Sequence, residues 1–238
     1  MNDLKDKVAY ITGGSKGIGY GIAQRLLQEG MRVAITSRDL SAAKKAAASL
    51  SNDSSRILAL ESDVSSMSAE VKAVQSVIDH FGQLDVLIAN AGVGHFAPID
   101  TLSEDLWKQT IDTNLTGVFN SVKASIDALK SSKGYIITIA SLAGTNFFET
   151  ASAYNASKFG LVGFTQAIML DLRKYGIKVT TIMPGSVATH FNDHTPSEAD
   201  AWKIQPEDIG QLVADLLHMP SRTLPSKVEI RPSMPGKG

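Results

Sequence analysis

The 238-residue chain contains no cysteine. Disulfides, thiolate catalysis and cysteine-ligated metals are thereby excluded, and a reducing compartment fits. Charge of one sign is also missing: 23 lysines and arginines stand against 24 aspartates and glutamates, a formal net charge of −1. That balance leaves no electrostatic footprint for nucleic acid or an anionic membrane. Every apolar run is far too short to span a bilayer, and the charged start MNDLKDK precedes no signal-like apolar core. A cytoplasmic protein is the expectation. No repeat or linker interrupts the chain, so a single domain over 1–238 is expected around a core that 43% hydrophobic residues can supply.

What the chain does have is alternation. Short apolar runs at 8–12 (VAYIT), 32–36 (RVAIT), 56–60 (RILAL), 85–90 (DVLIAN), 135–141 (YIITIAS), 179–183 (VTTIM) and 228–230 (VEI) read as seven strands. Between most of them lie segments of helical spacing, at 18–29, 41–50, 69–81, 103–129, 154–175 and 206–217. The strands are near-continuous apolar runs, so both faces of the sheet must be covered. This pattern predicts a parallel, doubly wound α/β sheet with helices on both faces.

The residues that fit neither pattern fall at the carboxyl ends of the strands. Gly13, Gly14, Ser15, Lys16, Gly17, Ile18 and Gly19 follow the first, Ser37 and Arg38 the second, and Asp63 with Val64 the third. Asn90, Ala91 and Gly92 follow the fourth, Ser141 the fifth, and Pro184 and Gly185 the sixth. In an open parallel sheet these ends form one rim, where ligands bind. Glycines at 13, 17 and 19 let the backbone turn sharply and let a pyrophosphate approach the amino end of the next helix. A tight turn without a ligand is the plainer reading; its position, after a strand and opening a helix, favours the nucleotide.

Ribose preference is read at the end of the second strand, where an acidic side chain would accept from a 2′-hydroxyl. Ser37 and Arg38 instead leave a 2′-phosphate unrepelled, and the guanidinium can grip it in bidentate fashion, with Lys16 as a second cation. NADP(H) is therefore expected over NAD(H). Asp39 competes for the ribose unless it caps the 41–50 helix. Asp63 and Val64 would face the adenine, unless Asp63 serves only its turn.

The stretch SAYNASK (152–158) sets Tyr154 one helical turn before Lys158, so both side chains share a face and the ammonium can favour the ionised phenol. Alone, the pair also fits a solvated helix surface. Joined with TGGSKGIG (12–19), Asp63-Val64, NAG (90–92), Asn114, Ser141 and PGSVAT (184–189), it resembles the short-chain dehydrogenase/reductase family over nearly the whole chain.

The resemblance implies a Rossmann fold with strand order 3-2-1-4-5-6-7, hydride transfer to or from a nicotinamide, and a homodimer or homotetramer. It implies Tyr154 as the acid/base, Lys158 as its modulator and a ligand of the nicotinamide ribose, Ser141 as the carbonyl-orienting hydroxyl, and Asn114 as a relay through water. Asn90 would buttress the cofactor and the sheet, while Val187 and Thr189 would hold the carboxamide. A phenol with an ordinary pKa of about 10 is a poor base at neutral pH, so the lysine, helped by the positive charge of an oxidised nicotinamide, is expected to lower it. Read singly, Asn114 also fits a core amide, Ser141 a strand end, and Thr189 a solvent-facing loop residue.

Two stretches depart from the relatives that reduce 3-oxoacyl groups on acyl carrier protein. Those have a glycine-rich segment between serine and tyrosine and paired glycines after the last strand; this chain has LAGTNFFETASA (142–153) and ends KVEIRPSMPGKG. A general NADPH-dependent carbonyl reductase is expected, with the acyl-carrier enzyme and a non-catalytic nucleotide-binding regulator as alternatives. Substrate contacts are expected from 93–96, from Phe147 and Phe148, and from the polar stretch 190–202, within a lid at about 188–205. Phe96, Phe147, Phe148 and Phe191 suggest a small apolar or aromatic carbonyl or alcohol substrate. His190 and His194 have metal-pair spacing but no third ligand, so no metal is expected. The segments 159–172 and 103–129, the latter through Leu115, Val118, Phe119 and Val122, carry more apolar surface than one sheet face covers, which predicts subunit contacts.

Overall fold

A computed structural model describes residues 3–234. Its seven strands, β1 (Val8–Ile11), β2 (Arg32–Ser37), β3 (Ile57–Glu61), β4 (Val86–Ala89), β5 (Tyr135–Ile139), β6 (Lys178–Pro184) and β7 (Lys227–Ile230), form one sheet. Every pairing is parallel and the order is β3-β2-β1-β4-β5-β6-β7. The helices are α1 (Gly17–Gln28), α2 (Leu40–Leu50), α3 (Met67–Phe81), α4 (Glu104–Ile111), α5 (Gly117–Ser132), α6 (Ser152–Leu172) and α7 (Pro206–His218).

The two-sided burial explains why the strands look uniformly apolar. Successive residues of a strand point to opposite faces. Ala9 and Ile11 of β1 join Ile22 and Leu26 of α1 and Ile209 and Val213 of α7 in one core, whereas Val8 and Tyr10 join Val77 of α3, Val118 of α5 and Leu161 of α6 in the other. The central strands β1, β4 and β5 are buried throughout, while β7 at the edge alternates exposed and partly buried residues. No helix among the described residues is long and apolar enough to cross a membrane.

The segment predicted as one helix over 103–129 is two. Between α4 and α5 the residues Asp112–Thr116 form a wider, π-helical turn, which carries an extra residue and re-aims Asn114 inward. No proline or glycine lies within that turn, so apolar spacing runs through it unbroken. The third strand also begins one residue later than its apolar run. Asp39 accepts a hydrogen bond from the Ser41 amide at 2.8 Å and so caps α2, the competing role foreseen for it.

The first and fourth strands are joined at their ends by Thr12. Its hydroxyl oxygen accepts from the amides of Asn90 (3.0 Å) and Ala91 (3.1 Å), and the Asn90 side-chain amide returns two bonds, to the carbonyls of Thr12 and Gly13. This clamp sets the glycine loop against the end of β4. Thr12→Val keeps the shape but strands two amide donors, so we predict a loss of about 2 kcal/mol in urea unfolding with an unchanged m-value.

Candidate active site

The carboxyl ends of the strands open into a cleft of about 1160 Å³. Of the glycine-loop, strand-end and catalytic residues singled out from the sequence, all but Gly14, Gly19 and Asn114 line it, while Asp39 and Phe147 lie outside it. At one end is the glycine loop. Gly13 has φ +65°, a backbone region that side chains disfavour, and this lets the chain leave β1 and enter α1 at once. Gly19 lies behind the loop, against Asn90, where a side chain would collide with the Asn90 amide. No side chain caps the start of α1, so its first amides remain available to an anion.

Lys16 and Arg38 line the same end, and neither forms an ion pair among the described residues. Asp39 is committed to its cap. Asp63 holds its own turn, accepting from the amide (2.9 Å) and hydroxyl (2.7 Å) of Ser65, while still bordering the cleft.

The other end is built on α6. Asn155 anchors the start of that helix by donating to the carbonyls of Ala143 and Asn146, each at 2.7 Å, and Ser157 donates back to the Tyr154 carbonyl at 2.8 Å. Asn114 donates to Ser157 at 3.0 Å and brackets Val93, donating to its carbonyl and accepting from its amide, each at 2.8 Å. Its side chain is fully buried, and these three bonds also fit the core-amide reading. The remaining letters of SAYNASK thus hold Tyr154 and Lys158 in place.

Tyr154, Ser141 and Lys158 converge on the floor of the cleft. The Lys158 ammonium donates to the Ile139 carbonyl at 3.0 Å and lies 5.7 Å from the centre of the Tyr154 ring. Burial lowers its pKa to about 8. Burial also raises the Tyr154 phenol above its ordinary value, with the nearby Ser141 hydroxyl pulling it part of the way back. Among the protein's own groups, removal from water thus dominates at the phenol, which is protonated at neutral pH.

Above this floor, the Tyr154 ring packs at 5.4 Å from that of Phe96 and 5.6 Å from that of Phe191, while Phe148 is 6.1 Å from Phe96. Phe147 is not part of the group; it is 80% exposed and stacks on Phe159 instead. The segment 188–205 crosses the cleft and returns beside β6, where Val187 pairs with Ile204. Asp200 organises it, accepting from the Ser197 amide (3.0 Å) and pairing with His194 (2.7 Å) and Lys203 (2.6 Å), which hold its carboxyl well below the usual range. His194 is thus engaged by a carboxylate. No cluster of three metal-ligating side chains occurs among the described residues.

Sequence reasoning overlooked Thr12, Ser62, Asn155 and the run Arg231 to Met234 beside the cleft. Thr12 and Asn155 lie inside TGGSKGIG and SAYNASK, where the glycines, the tyrosine and the lysine carry the stronger signal. The last run follows the final strand, with no periodic pattern to assign it.

The model of the family described as short chain dehydrogenase matches residues 7–200. An uncharacterized oxidoreductase of Staphylococcus saprophyticus is 32% identical over 234 residues, covering 98% of this chain and all of that protein. Among solved structures, an alcohol dehydrogenase of Thermococcus sibiricus complexed with 5-hydroxy-NADP superposes with a TM-score of 0.90 at 27% identity, covering 96% of this chain and 97% of that one. A short chain dehydrogenase of Burkholderia cenocepacia in complex with NADP gives 0.87 at 32%, covering 97% and 98%. A 3-ketoacyl-(acyl-carrier-protein) reductase of Brucella melitensis complexed with NADH gives 0.87 at 25%, also covering 97% and 98%. With its family model, its relatives and its strand order in agreement, the chain belongs to the short-chain dehydrogenase/reductase family of oxidoreductases.

The buried lysine makes a stability prediction. Its pKa falls from 10.5 unfolded to about 8 folded, so the penalty of burying its charge is fully present below pH 8 and disappears as pH rises from 8 to 10.5. The penalty is about 3 kcal/mol, against about 1 kcal/mol for the bond to Ile139. Lys158→Met should therefore be about 2 kcal/mol more stable than wild type in urea unfolding at pH 7, with the advantage shrinking at pH 9.5.

Proposed function

We propose that the protein is an NADP(H)-dependent reductase of ketones or aldehydes, working in the cytoplasm. The observation that carries this reading is the meeting of Ser141, Tyr154 and Lys158 on the floor of a cleft whose far end offers an unpaired arginine and uncapped helix amides. For the cofactor, the amides at the start of α1 would hold the pyrophosphate, Arg38 and Lys16 the 2′-phosphate, and Asp63 and Val64 would border the adenine. Ala91, Gly92, Pro184, Gly185, Val187 and Thr189 would flank the nicotinamide half. NADPH supplies the hydride when bound.

The protein's own part is to hold and move a proton. Ser141 and Tyr154 hydrogen-bond the substrate oxygen, and the phenol, kept protonated by burial, releases its proton to that oxygen as negative charge develops there. Lys158, mostly charged at neutral pH, stabilises the phenolate left behind and serves as the proton source that restores it. Asn114 keeps α6 seated against Val93. The stretch 188–205 acts as a lid over the substrate.

Cofactor choice rests on Arg38 rather than on family, since NADP and NADH each accompany a structural neighbour. The aromatic walls favour a compact carbonyl substrate over an acyl chain on a carrier protein, which is the second reading. The complete Ser141, Tyr154 and Lys158 set argues against a non-catalytic regulator.

A second copy of the chain is the proposed cover for α5 and α6. Val118 and Val122 belong to the core, but Phe119 and Leu170 remain exposed, and Phe119 meets Phe164 along a groove between the two helices.

Carbonyl-dependent oxidation of NADPH, followed by nicotinamide absorbance, tests the catalytic assignment. Tyr154→Phe should lower kcat by about 10²- to 10⁴-fold while NADPH still binds. Arg38→Leu should raise the Kd for NADPH by about tenfold or more and leave that for NADH unchanged. Equal turnover in wild type and Tyr154→Phe removes the mechanism, and an equal loss for both nucleotides removes the 2′-phosphate assignment.

A further inference from the structure

The stretch that crosses the cleft puts a ring where the apolar part of a substrate has to lie. The Phe191 ring centre is 5.6 Å from that of Tyr154 and 6.4 Å from that of Phe96, and those two are 5.4 Å apart, so three rings close on one another in a nearly equilateral triangle. A flat group inserted between two rings needs contact distance on both sides, roughly 7 Å in all. None of the three gaps reaches that.

The seat beneath Phe191 is equally restrictive. A methyl group at Gly94 would lie 2.3 Å from Cζ of Phe191 and 2.5 Å from Cε1, so only a residue without a side chain lets the ring settle there. Its neighbour Asn192 adopts φ +55°, and the Phe191 amide donates to the Thr189 hydroxyl at 3.3 Å, which together aim the ring inward. Phe191 is still 38% exposed, so the ring has an open side by which to leave. Further along, Asp200 holds the rest of the crossing stretch through Ser197, His194 and Lys203.

Resting on Tyr154 as the proton donor, we propose that Phe191 sets substrate specificity as a displaceable plug: its ring, seated on Gly94, occupies the place of the substrate's apolar group. A carbonyl compound enters by taking over the contacts Phe191 makes with Phe96 and Tyr154. Planar aryl ketones and aldehydes can do so face or edge on. Branched aliphatic carbonyls of similar hydropathy cannot, and meet the closed plug without compensation. Because the seated ring leaves only a fraction of molecules open, it lowers apparent affinity by that fraction.

The test needs no turnover. A fluorescent naphthyl ketone is titrated, by its emission, against wild type, Phe191→Ala, Gly94→Ala and the double variant, with and without NADP⁺, thermal melts confirming that each is folded. Removing two aromatic contacts of ordinary strength should lower the apparent Kd about tenfold in Phe191→Ala. Gly94→Ala, which unseats the ring without deleting it, should shift Kd in the same direction, and the double variant should add nothing further, since both changes remove one plug. A Kd within twofold of wild type in Phe191→Ala overturns the proposal, as do additive effects of the two substitutions or a probe that binds none of the four proteins. The predicted pattern together with no turnover of any carbonyl would instead remove the proposed reductase activity and leave the plug standing.

Discussion

The structure depends on keeping an amine and a phenol out of water beside each other. Lys158 and Tyr154 are both buried at the base of an otherwise open cleft, and burial moves both pKa values, lowering the first and raising the second. Each shift disfavours a charged form, so the pair is costly to assemble and does not form by default. The surroundings read as the means of holding it. Ile139 presents a strand-end carbonyl to the ammonium, Asn155 fixes the first turn of α6, and Asn114, re-aimed by a π-helical turn, fixes the next through Ser157.

That view changes how the tyrosine–lysine pair is understood. Spacing alone suggests a cation that acidifies a phenol, which suits a base. In the buried geometry, loss of water raises the phenol's pKa, which suits the proton donor proposed above. The two ends of the cleft then have separate work. The glycine loop, Arg38 and Lys16 offer fixed positive potential at one end, and an aromatic wall closes the other. The stretch 188–205 spans both, with Thr189 beside Gly17 and Phe191 against Tyr154.

Much of this architecture was legible in residues, for identifiable reasons. Two-sided burial leaves continuous apolar strands, and the need for special backbone or charge at the rim leaves glycines and polar residues at strand ends, so the sheet and most of the cleft followed from pattern. What escaped detection was whatever pattern does not encode. The turn at Asp112–Thr116 keeps its apolar spacing while changing its pitch, so pattern does not show that the Asn114 amide bonds Val93 and Ser157. Phe147 and Phe148 are indistinguishable by type, yet the first turns away to Phe159 and the second faces the cleft. Helical spacing reports that Tyr154 and Lys158 are close and says nothing of how much water the phenol loses.

The most direct test of this account is the ionisation of Tyr154 itself, followed by ¹³C NMR of tyrosine Cζ as pH is raised, with Tyr154→Phe used to assign the signal. The account predicts a phenol that titrates above the ordinary tyrosine value. A Tyr154 signal that titrates below the ordinary tyrosine value would contradict it, because the neighbouring cation would then outweigh the loss of water.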